Sequence, residues 1–184
     1  HLVLDEADRM LDMGFYEDIM KIITHLPKER QNLLFSATMA PKIRKLAMEI
    51  LTDPEEVSIS IAKPSEKITQ VAFLTYDSQK IDLVKLLLRF NDVPSLVIFT
   101  SRKTKVREIT RALQKEGFKA KGISSDLEQV EREDILREFK NKLLPIIVAT
   151  DVISRGIDVD NIDMIINYDV PGDAADYVHR IGRT

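Results

Sequence analysis

Three carboxylates follow an apolar run at the start of the chain, in the sequence HLVLDEAD at residues 1–8. Such a run is typical of a buried strand in an open α/β sheet, where ligands bind at the carboxyl ends of the strands. There Asp5 could hold the Mg²⁺ of a nucleoside triphosphate, directly or through water, and Glu6 could orient or deprotonate an attacking water. The acids could instead only stabilise the N-terminus of the following helix. Nucleotide hydrolysis is therefore the first hypothesis.

A second apolar run, at residues 32–35, leads into Ser36-Ala37-Thr38. The two hydroxyl groups follow their strand at the point where they could hydrogen bond to the acids after the first run. A turn that begins a helix also favours Ser and Thr, so the residue types alone do not separate these interpretations.

The second half of the chain carries further polar stretches in a definite order. They are LVIFTSRK at 96–103, Gln129-Val130-Glu131-Arg132, VATDVISRGID at 148–158 and YVHRIGRT at 177–184. Taken singly, each has an ordinary structural explanation as surface residues one helical turn apart, a turn aspartate, a packing histidine or cations at a helix end. Their combination and order carry the functional information.

The apolar periodicity predicts the elements that position these motifs. In the first part we expect a helix from Met10 to Leu26 interrupted at Gly14, a strand at 32–35, a helix from Pro41 to about Leu51 and a strand at 57–61. Residues 62–69 mix Pro, Ser and charge without periodicity, as a linker does. Beyond them we expect strands at 71–76, 96–100, 120–124, 146–150 and 164–168. Helices are expected near 78–90, 103–116 and 128–141, with short ones near 151–155 and 174–180. This alternation specifies a parallel sheet wrapped by helices.

The composition narrows the class of protein. A hydrophobic content of 44% with 31% charged residues is that of a globular protein, and the lack of cysteine excludes disulfides and cysteine metal sites. No apolar run is long enough for a membrane span and no signal peptide is present, so we expect a soluble, cytoplasmic protein without a membrane partner. The net charge is −3, yet residues 102–121 hold eight Lys or Arg against two Glu. That stretch is the best candidate for a phosphate-facing surface, although a solvated helix face explains it equally well.

In this order, the motifs resemble those of the DEAD-box ATP-dependent RNA helicases. The tetrapeptide Asp5-Glu6-Ala7-Asp8 and the later Ser36-Ala37-Thr38 match the second and third motifs of that family, and the match continues through all 184 residues. The resemblance implies an α/β protein with two RecA-like parallel-sheet domains and flanking helices. Residues 1–62 would be the C-terminal part of an incomplete first domain, 63–69 the linker, and 70–184 a second domain truncated at its end.

The resemblance also implies a role for each acid and hydroxyl of the first domain. Asp5 would serve the Mg²⁺, and Glu6 would position or activate the water. Asp8 would bond across the closed cleft between the domains. Ser36 and Thr38 would couple the state of ATP to strand separation.

In the second domain, the resemblance assigns two residues to the nucleotide and two to the interface between the domains. Asp158 would contact the ribose of ATP, and Arg183 would be an arginine finger that reaches the γ-phosphate. Arg180 and His179 would brace the interface between the domains. A finger from the second domain makes hydrolysis conditional on closure, and closure can be made conditional on bound RNA.

Four further residues would lie near the RNA backbone by the same resemblance, namely Gln129, Arg132, Thr150 and Arg102. The chain departs from the family at one of these residues and just before another. Ser124-Ser125-Asp126 replaces the usual His-Gly-Asp before the Gln-x-x-Arg helix, and Arg102 stands where a small hydroxyl residue is common. The extra charge of Arg102 adds to the basic stretch.

The expected function is therefore an ATP-dependent RNA helicase that uses ATP and Mg²⁺, contacts the RNA backbone with little sequence preference and acts as a monomer. The chain contains no G-x-x-x-x-G-K-[ST] loop and does not begin with methionine. We expect it to be a fragment whose phosphate-binding loop lies upstream. Two alternatives stay open: a DNA-directed helicase relative, which Asp8 speaks against, and a catalytically incomplete RNA-binding or scaffold module.

Overall fold

The structure, a computed structural model, describes residues 1–58, 68–91, 93–150 and 162–184. The chain divides into two compact units, residues 1–61 and 62–184. In each unit the strands are parallel and helices pack beside them, which confirms the predicted α/β class. Most of the expected linker, at 63–67, lies outside the described residues, so the assignment of domains and linker stays a prediction. None of the described helices is long and apolar enough to cross a membrane.

The first unit contains two strands and three helices within its described residues. They are β1 (Leu2–Leu4), α1 (Ala7–Asp12), α2 (Tyr16–Thr24), β2 (Asn32–Leu34) and α3 (Pro41–Ile50). The strands pair in parallel, with Leu2 opposite Asn32. The predicted helical stretch is divided at Gly14, where φ is +82°, as its sequence position indicated. The hydrophobic core of the first unit lies between β1 and the inner faces of α2 and α3.

The second unit is a four-stranded parallel sheet in the order β4-β5-β3-β6. A 3₁₀ turn (Asp77–Gln79) leads into α4 (Lys80–Phe90). The remaining elements are β3 (Leu96–Phe99), α5 (Lys103–Lys115), β4 (Ala120–Ile123), α6 (Gln129–Lys140), β5 (Ile146–Ala149), β6 (Met164–Asn167) and α7 (Ala174–Ile181). These four strands and the four predicted helices that overlap described residues are confirmed to within two residues.

The central strands of this sheet are buried on both faces. All four residues of β3 are at most 1% exposed. Leu96 and Ile98 pack with α4 and α5 on one face, whereas Val97 and Phe99 pack with α6 on the other. The alternation of side chains along a strand therefore feeds two separate cores, which fix the strand ends where polar residues emerge.

The predicted strand at 71–76 is wrong. These residues form no strand, and Leu74 is fully exposed at 107%. The segment VAFLTY is rich in the apolar, β-branched and aromatic residues that favour strands, but no described strand pairs with it, and strand backbone groups need partners. Residues 57–58, the described part of the strand expected at 57–61, are also irregular. The short helix expected near 151–155 lies outside the described residues.

Candidate functional site

The ends of β1 and β2 lie side by side at one edge of the first unit. Beyond the strands, the Phe35 N–H donates to the Leu4 carbonyl at 2.7 Å, and the Ala7 N–H donates to the Phe35 carbonyl at 3.0 Å. These bonds extend the parallel pairing past the last strand residues. They bring Asp5 and Ser36, which are far apart in sequence, to the same edge.

Asp8 is held by the hydroxyl-bearing turn after β2. The N–H and the hydroxyl of Thr38 donate to Asp8 Oδ2 at 3.1 and 3.2 Å. The Asp8 N–H donates to Ser36 Oγ at 3.3 Å, and that hydroxyl donates to the Thr38 carbonyl at 2.7 Å. The expected contact between hydroxyls and acids is therefore present, and Asp8 is the acid that receives it. The role of Asp8 in domain closure stays a prediction.

Glu6 occupies an unusual backbone position between β1 and α1. Its φ of 51° and ψ of 44° lie in the left-handed region, which costs a residue with a Cβ roughly 1–2 kcal/mol. The next residue, Ala7, is completely buried and anchors the turn. Strain of this kind is concentrated at functional sites, where the surrounding structure maintains it. Here it lets the chain turn sharply at the strand end, with the Glu6 carboxylate only partly covered.

The donor set at this edge fits a magnesium ion that arrives with a nucleotide. Asp5 is exposed, and one of its oxygens, Oδ1, accepts the Glu6 N–H at 2.9 Å. Among the described residues no group of three or more His, Cys, Asp or Glu side chains could hold a metal. Mg²⁺ commonly takes one or two carboxylates together with waters and substrate phosphates. The residues therefore suit a Mg²⁺–triphosphate complex and not a metal bound by protein alone.

In the second unit, Asp169 connects the ends of β3 and β6. Its Oδ2 accepts hydrogen bonds from the Thr100 hydroxyl at 2.7 Å, the Ser101 N–H at 2.9 Å and the Ser101 hydroxyl at 3.1 Å. Lys80 Nζ lies 3.6 Å from Oδ1. Burial alone would raise the pKa of Asp169, but these donors together outweigh it and hold the pKa below its ordinary value.

Arg180 is buried, with only 1% of its surface exposed. One guanidinium nitrogen donates to Asn167 Oδ1 at 2.7 Å and to the Asp169 carbonyl at 2.9 Å. The guanidinium lies 5.1 Å from the centre of the Phe99 ring, within cation–π range. Arg180 was expected to brace the interface between domains. These contacts lie inside the second unit and tie α7 to the ends of β3 and β6, so they give Arg180 a positioning role there.

His179 lies in the last turn of α7, and Arg183 follows two residues after the helix ends. The Arg183 side chain is half-buried, and its carbonyl accepts the Ile162 N–H at 3.1 Å. His179 Nδ1 is buried without a hydrogen-bond partner in the described part of the chain. The backbone around Arg183 is therefore anchored to the segment that precedes β6. The finger role of Arg183 stays a prediction.

The four residues expected near RNA follow strands of the second sheet. Arg102 is exposed after β3, Thr150 is buried after β5, and Gln129 and Arg132 occupy the first turn of α6 after β4. Arg132 donates to Gln129 Oε1 at 3.3 Å, and its buried Nε has no partner among the described residues. Because the strands are parallel, these residues share the carboxyl edge of the sheet.

The basic stretch at 102–121 does not form one surface. Half of its cations pair with carboxylates of the same unit: Lys103 and Arg107 with Asp126, Lys105 with Glu108, and Lys121 with Glu138. The hydrogen bond from Lys103 is the main cause that lowers the pKa of Asp126. Arg102 and Lys115 lie at opposite ends of α5, roughly 20 Å apart at 1.5 Å per residue. Of these cations, Arg102 directly follows the turn after β3 at the carboxyl edge of the sheet, where ligands bind in open α/β sheets, so the phosphate-facing role stays a prediction centred on Arg102.

Comparison with known proteins identifies the family. Residues 79–184 match the helicase conserved C-terminal domain, and residues 1–46 match the DEAD/DEAH box helicase family. The chain belongs to the DEAD-box helicase family. It is 44% identical over 184 residues to the ATP-dependent RNA helicase CshA of Limosilactobacillus reuteri, covering 100% of this chain and 37% of that protein. It is 45% identical over 190 residues to the ATP-dependent RNA helicase DBP2 of Saccharomyces cerevisiae, covering 100% of this chain and 35% of that protein.

Solved DEAD-box structures share the fold of this chain. S. cerevisiae Dbp5 bound to RNA and ADP BeF3 matches with a TM-score of 0.85 and 31% identity, over 98% of this chain and 49% of that chain. A DEAD box protein from the hyperthermophile Methanococcus jannaschii matches with a TM-score of 0.62 and 39% identity, over 99% and 49%. The expected RecA-like fold is confirmed. The DEAD-box chain spans about a third of the length of the two curated relatives.

The DEAD-box chain also contains a residue that the sequence interpretation missed. Asp158, expected at the ribose, lies outside the described residues, whereas Asp169 was not singled out at all. Yet Asp169 follows the mostly apolar strand sequence MIINY, as Asp5 follows LVL. The same signal, an acid at the end of an apolar strand, could have identified it.

Proposed function

We propose that this chain is part of an ATP-dependent RNA helicase, in which ATP hydrolysis and closure of two RecA-like domains drive RNA unwinding or the remodelling of RNA–protein complexes. Residues 1–62 and 70–184 would contribute to the first and second domains, joined by 63–69. One observation carries the proposal: Asp5 and Glu6 emerge at a sheet edge where the Ser36–Thr38 turn holds Asp8. Family membership supports it.

Each acid at this edge has a distinct task in the proposed mechanism. Bound Mg²⁺ would neutralise charge on the triphosphate as its terminal bond breaks. The exposed Asp5 carboxylate would hold the ion or its waters. Glu6, turned out of the strand by its left-handed backbone, would accept a hydrogen bond from the attacking water and orient it. Asp8 has its carboxylate fixed by Thr38, so the proposed closure would act on a preorganised group.

On the second domain, Arg183 would supply positive charge to the γ-phosphate in the closed state. A cation that reaches the site only on closure stabilises the charge that develops in the transition state. Hydrolysis then depends on closure, and closure can be made to depend on bound RNA. Its helix α7 is fixed by the buried Arg180. That contact supports a defined finger position rather than a mobile one.

The RNA would be bound through its backbone at the carboxyl edge of the second sheet. Arg102 and Arg132 offer guanidinium groups there, and Gln129 and Thr150 offer neutral polar atoms. Backbone contacts position a protein on nucleic acid without reading sequence. Binding should therefore depend strongly on salt and little on base identity. The structure of the relative Dbp5 bound to RNA and ADP BeF3 supports this choice of ligands.

A second candidate is an RNA-binding module that does not hydrolyse ATP by itself. It is favoured by one observation, the lack of a G-x-x-x-x-G-K-[ST] sequence among the 184 residues. The chain alone should then bind RNA without RNA-stimulated turnover, since Mg²⁺ and water ligands cannot position the γ-phosphate without a phosphate cradle.

The test is Glu6→Gln in the full-length helicase. Loss of the carboxylate should slow RNA-stimulated ATP hydrolysis by about 10²-fold or more while ATP and RNA affinities change little. Glu17→Gln, at an exposed glutamate in the first turn of α2, is the matched control and should keep full turnover. Parallel assays with RNA and DNA duplexes separate the DNA-directed alternative. Unchanged turnover for Glu6→Gln would remove Glu6 from the mechanism.

A further inference from the structure

Asp169 is the one residue of the described second unit whose polar contacts join the turn after β3, the start of α4 and the buried anchor of α7. Its side chain receives three hydrogen bonds from Thr100 and Ser101. Its Oδ1 faces Lys80 at 3.6 Å. Its backbone carbonyl accepts a hydrogen bond from Arg180 at 2.9 Å. Thr100 and Ser101 belong to the polar stretch at 96–103, whereas Arg180 belongs to the stretch at 177–184.

On the β3 side, the carboxylate fixes the residues that lead into α5. Ser101 gives both its N–H and its hydroxyl to Asp169, and the exposed Arg102 follows directly. The backbone direction of Arg102 is therefore set by a residue 67 positions away in sequence. A carboxylate suits this place because both of its oxygens accept: Oδ2 takes the donors of Thr100 and Ser101 while Oδ1 faces the ammonium of Lys80, where an amide would present an NH₂ donor.

On the α7 side, the same residue limits where the helix can lie. Arg180 joins the Asp169 carbonyl and Asn167 through one nitrogen, and Arg183 follows only two residues after the helix ends at Ile181. Any movement of the Asp169 backbone therefore moves the anchor of α7. The side chain and the carbonyl of one residue link the two ends of this arrangement.

Resting on the proposed function, we propose that Asp169 is a positioning residue between the RNA contact and the arginine finger. It transmits the contact that RNA makes with Arg102 to α7, and through α7 to Arg183, which follows that helix. RNA that orders the turn after β3 would order Asp169 through Ser101, and Asp169 would in turn hold α7 in the position that hydrolysis needs. Asp169 touches neither ligand. Its effect is on the coupling between the two ligands rather than on the affinity for each.

Coupling is measured as the ratio of the RNA dissociation constants without and with saturating non-hydrolysable ATP analogue, using a short fluorescein-labelled oligouridylate and the full-length helicase. By linkage, this ratio equals the effect of RNA on binding of the analogue. Asp169→Ala should lower the ratio at least about fivefold, with each ligand alone bound nearly as in wild type. Ser101→Ala should act in the same direction, and the double variant should lose little more than Asp169→Ala.

The matched control is Asp163→Ala, at the opposite end of β6. The Asp163 carboxylate is likewise bonded to a serine and a lysine, since the Ser95 hydroxyl donates to its Oδ2 and Lys142 Nζ lies 3.7 Å from the same oxygen. Its loss should lower thermal stability but leave the coupling ratio within about twofold of wild type.

The outcomes are distinct. A wild-type ratio near 1 would refute the proposed function, because ATP and RNA would not be coupled. A clear wild-type ratio that survives in both Asp169→Ala and Ser101→Ala would refute the role of Asp169 alone. Equal losses for Asp169→Ala and Asp163→Ala would also refute it, because the effect would then follow stability. If Asp169→Ala does not fold, Asp169→Asn and Ser101→Ala decide the question, and unchanged ratios in both overturn the proposal.

Discussion

Gly122 in β4 is required by the close approach of α5 to the sheet, which gives a quantitative prediction for Gly122→Ala. An added Cβ would lie 2.8 Å from Val106 Cγ1 and 3.0 Å from Thr110 Oγ1. Ordinary contacts of this kind are roughly 3.5–4 Å, so α5 would have to move by most of an ångström. Val106 is 2% exposed and packed within the core, so it cannot turn away.

The cost can be worked out from this overlap. Overpacking a core by one methyl group costs typically about 1–3 kcal/mol, and the reduced freedom of the unfolded chain returns about 0.4–1 kcal/mol. The second unit should therefore lose about 1–2 kcal/mol, which lowers the melting temperature by roughly 2–8 °C for a protein of this size.

The assay is urea unfolding of the 184-residue chain, with hydrogen exchange of the β4 and β5 amides to report on the second unit. Gly172→Ala is the matched control, because an added Cβ there meets nothing within 4 Å and its φ is not positive. It should change stability by no more than about 0.5 kcal/mol. Val106→Ala combined with Gly122→Ala should be more stable than the two losses summed, since the methyl group added at position 122 fills space that the shortened side chain at position 106 leaves. Equal stability of the Gly122→Ala and Gly172→Ala variants would refute the packing argument.

Four further outcomes are expected. Arg180→Ala should lower the free energy of unfolding by about 3 kcal/mol, because charge-assisted hydrogen bonds in a buried site are lost, while Lys119→Ala should be neutral in the same urea titration. The pKa of Asp169 is lower in the folded state than in the unfolded state, so its ionised carboxylate stabilises the fold fully above the unfolded pKa. This stabilisation is lost as the pH falls through the folded pKa. In Asp169→Asn, the free energy of unfolding measured against pH should therefore fall less steeply in the acid range. Arg132→Ala should reduce the salt slope of RNA binding by about one unit, which fluorescence titrations at several salt concentrations would measure. Arg183→Ala in the full-length helicase should slow single-turnover ATP hydrolysis by about 10³-fold with little change in ATP affinity. Arg183→Lys should recover only part of the lost rate. If ATP affinity and rate fell equally in Arg183→Ala, Arg183 would instead be a ground-state ligand.

The sequence predicted the second sheet well because its strands are covered on both faces. LVIF and IIVA are continuous apolar runs, and every residue of both is buried. The helix between β3 and β4 repeats its apolar residues at 3.6-residue spacing, and these are the ones found in the core. In these elements, local pattern and tertiary burial agree.

The segment 71–76 shows where local pattern is insufficient. Val71, Phe73 and Tyr76 are more than half exposed, although their types favour a strand. A strand is defined by a partner that satisfies its backbone groups, and the identity of that partner is not encoded in the segment itself. The pairing of the basic stretch is unpredictable for the same reason, since Asp126 and Glu138 come from other elements.

Asp163 and Asp169, at opposite ends of one strand, differ in role: the first stabilises the fold and the second lies at the candidate functional site. Both lie beside β6, both bond to a serine that flanks β3, and both have a pKa lowered mainly by hydrogen bonding, opposed in each case by burial. Asp163 precedes the strand, where no motif residue lies, whereas Asp169 follows it at the carboxyl edge near Arg102. Ligands bind at that edge in open parallel sheets because the turns after the strands converge there. The chemistry of an aspartate therefore does not tell whether it serves stability or function. The end of the strand at which the residue lies does tell, and it explains why substitution at either position should destabilise the fold while only substitution of Asp169 should change ligand coupling.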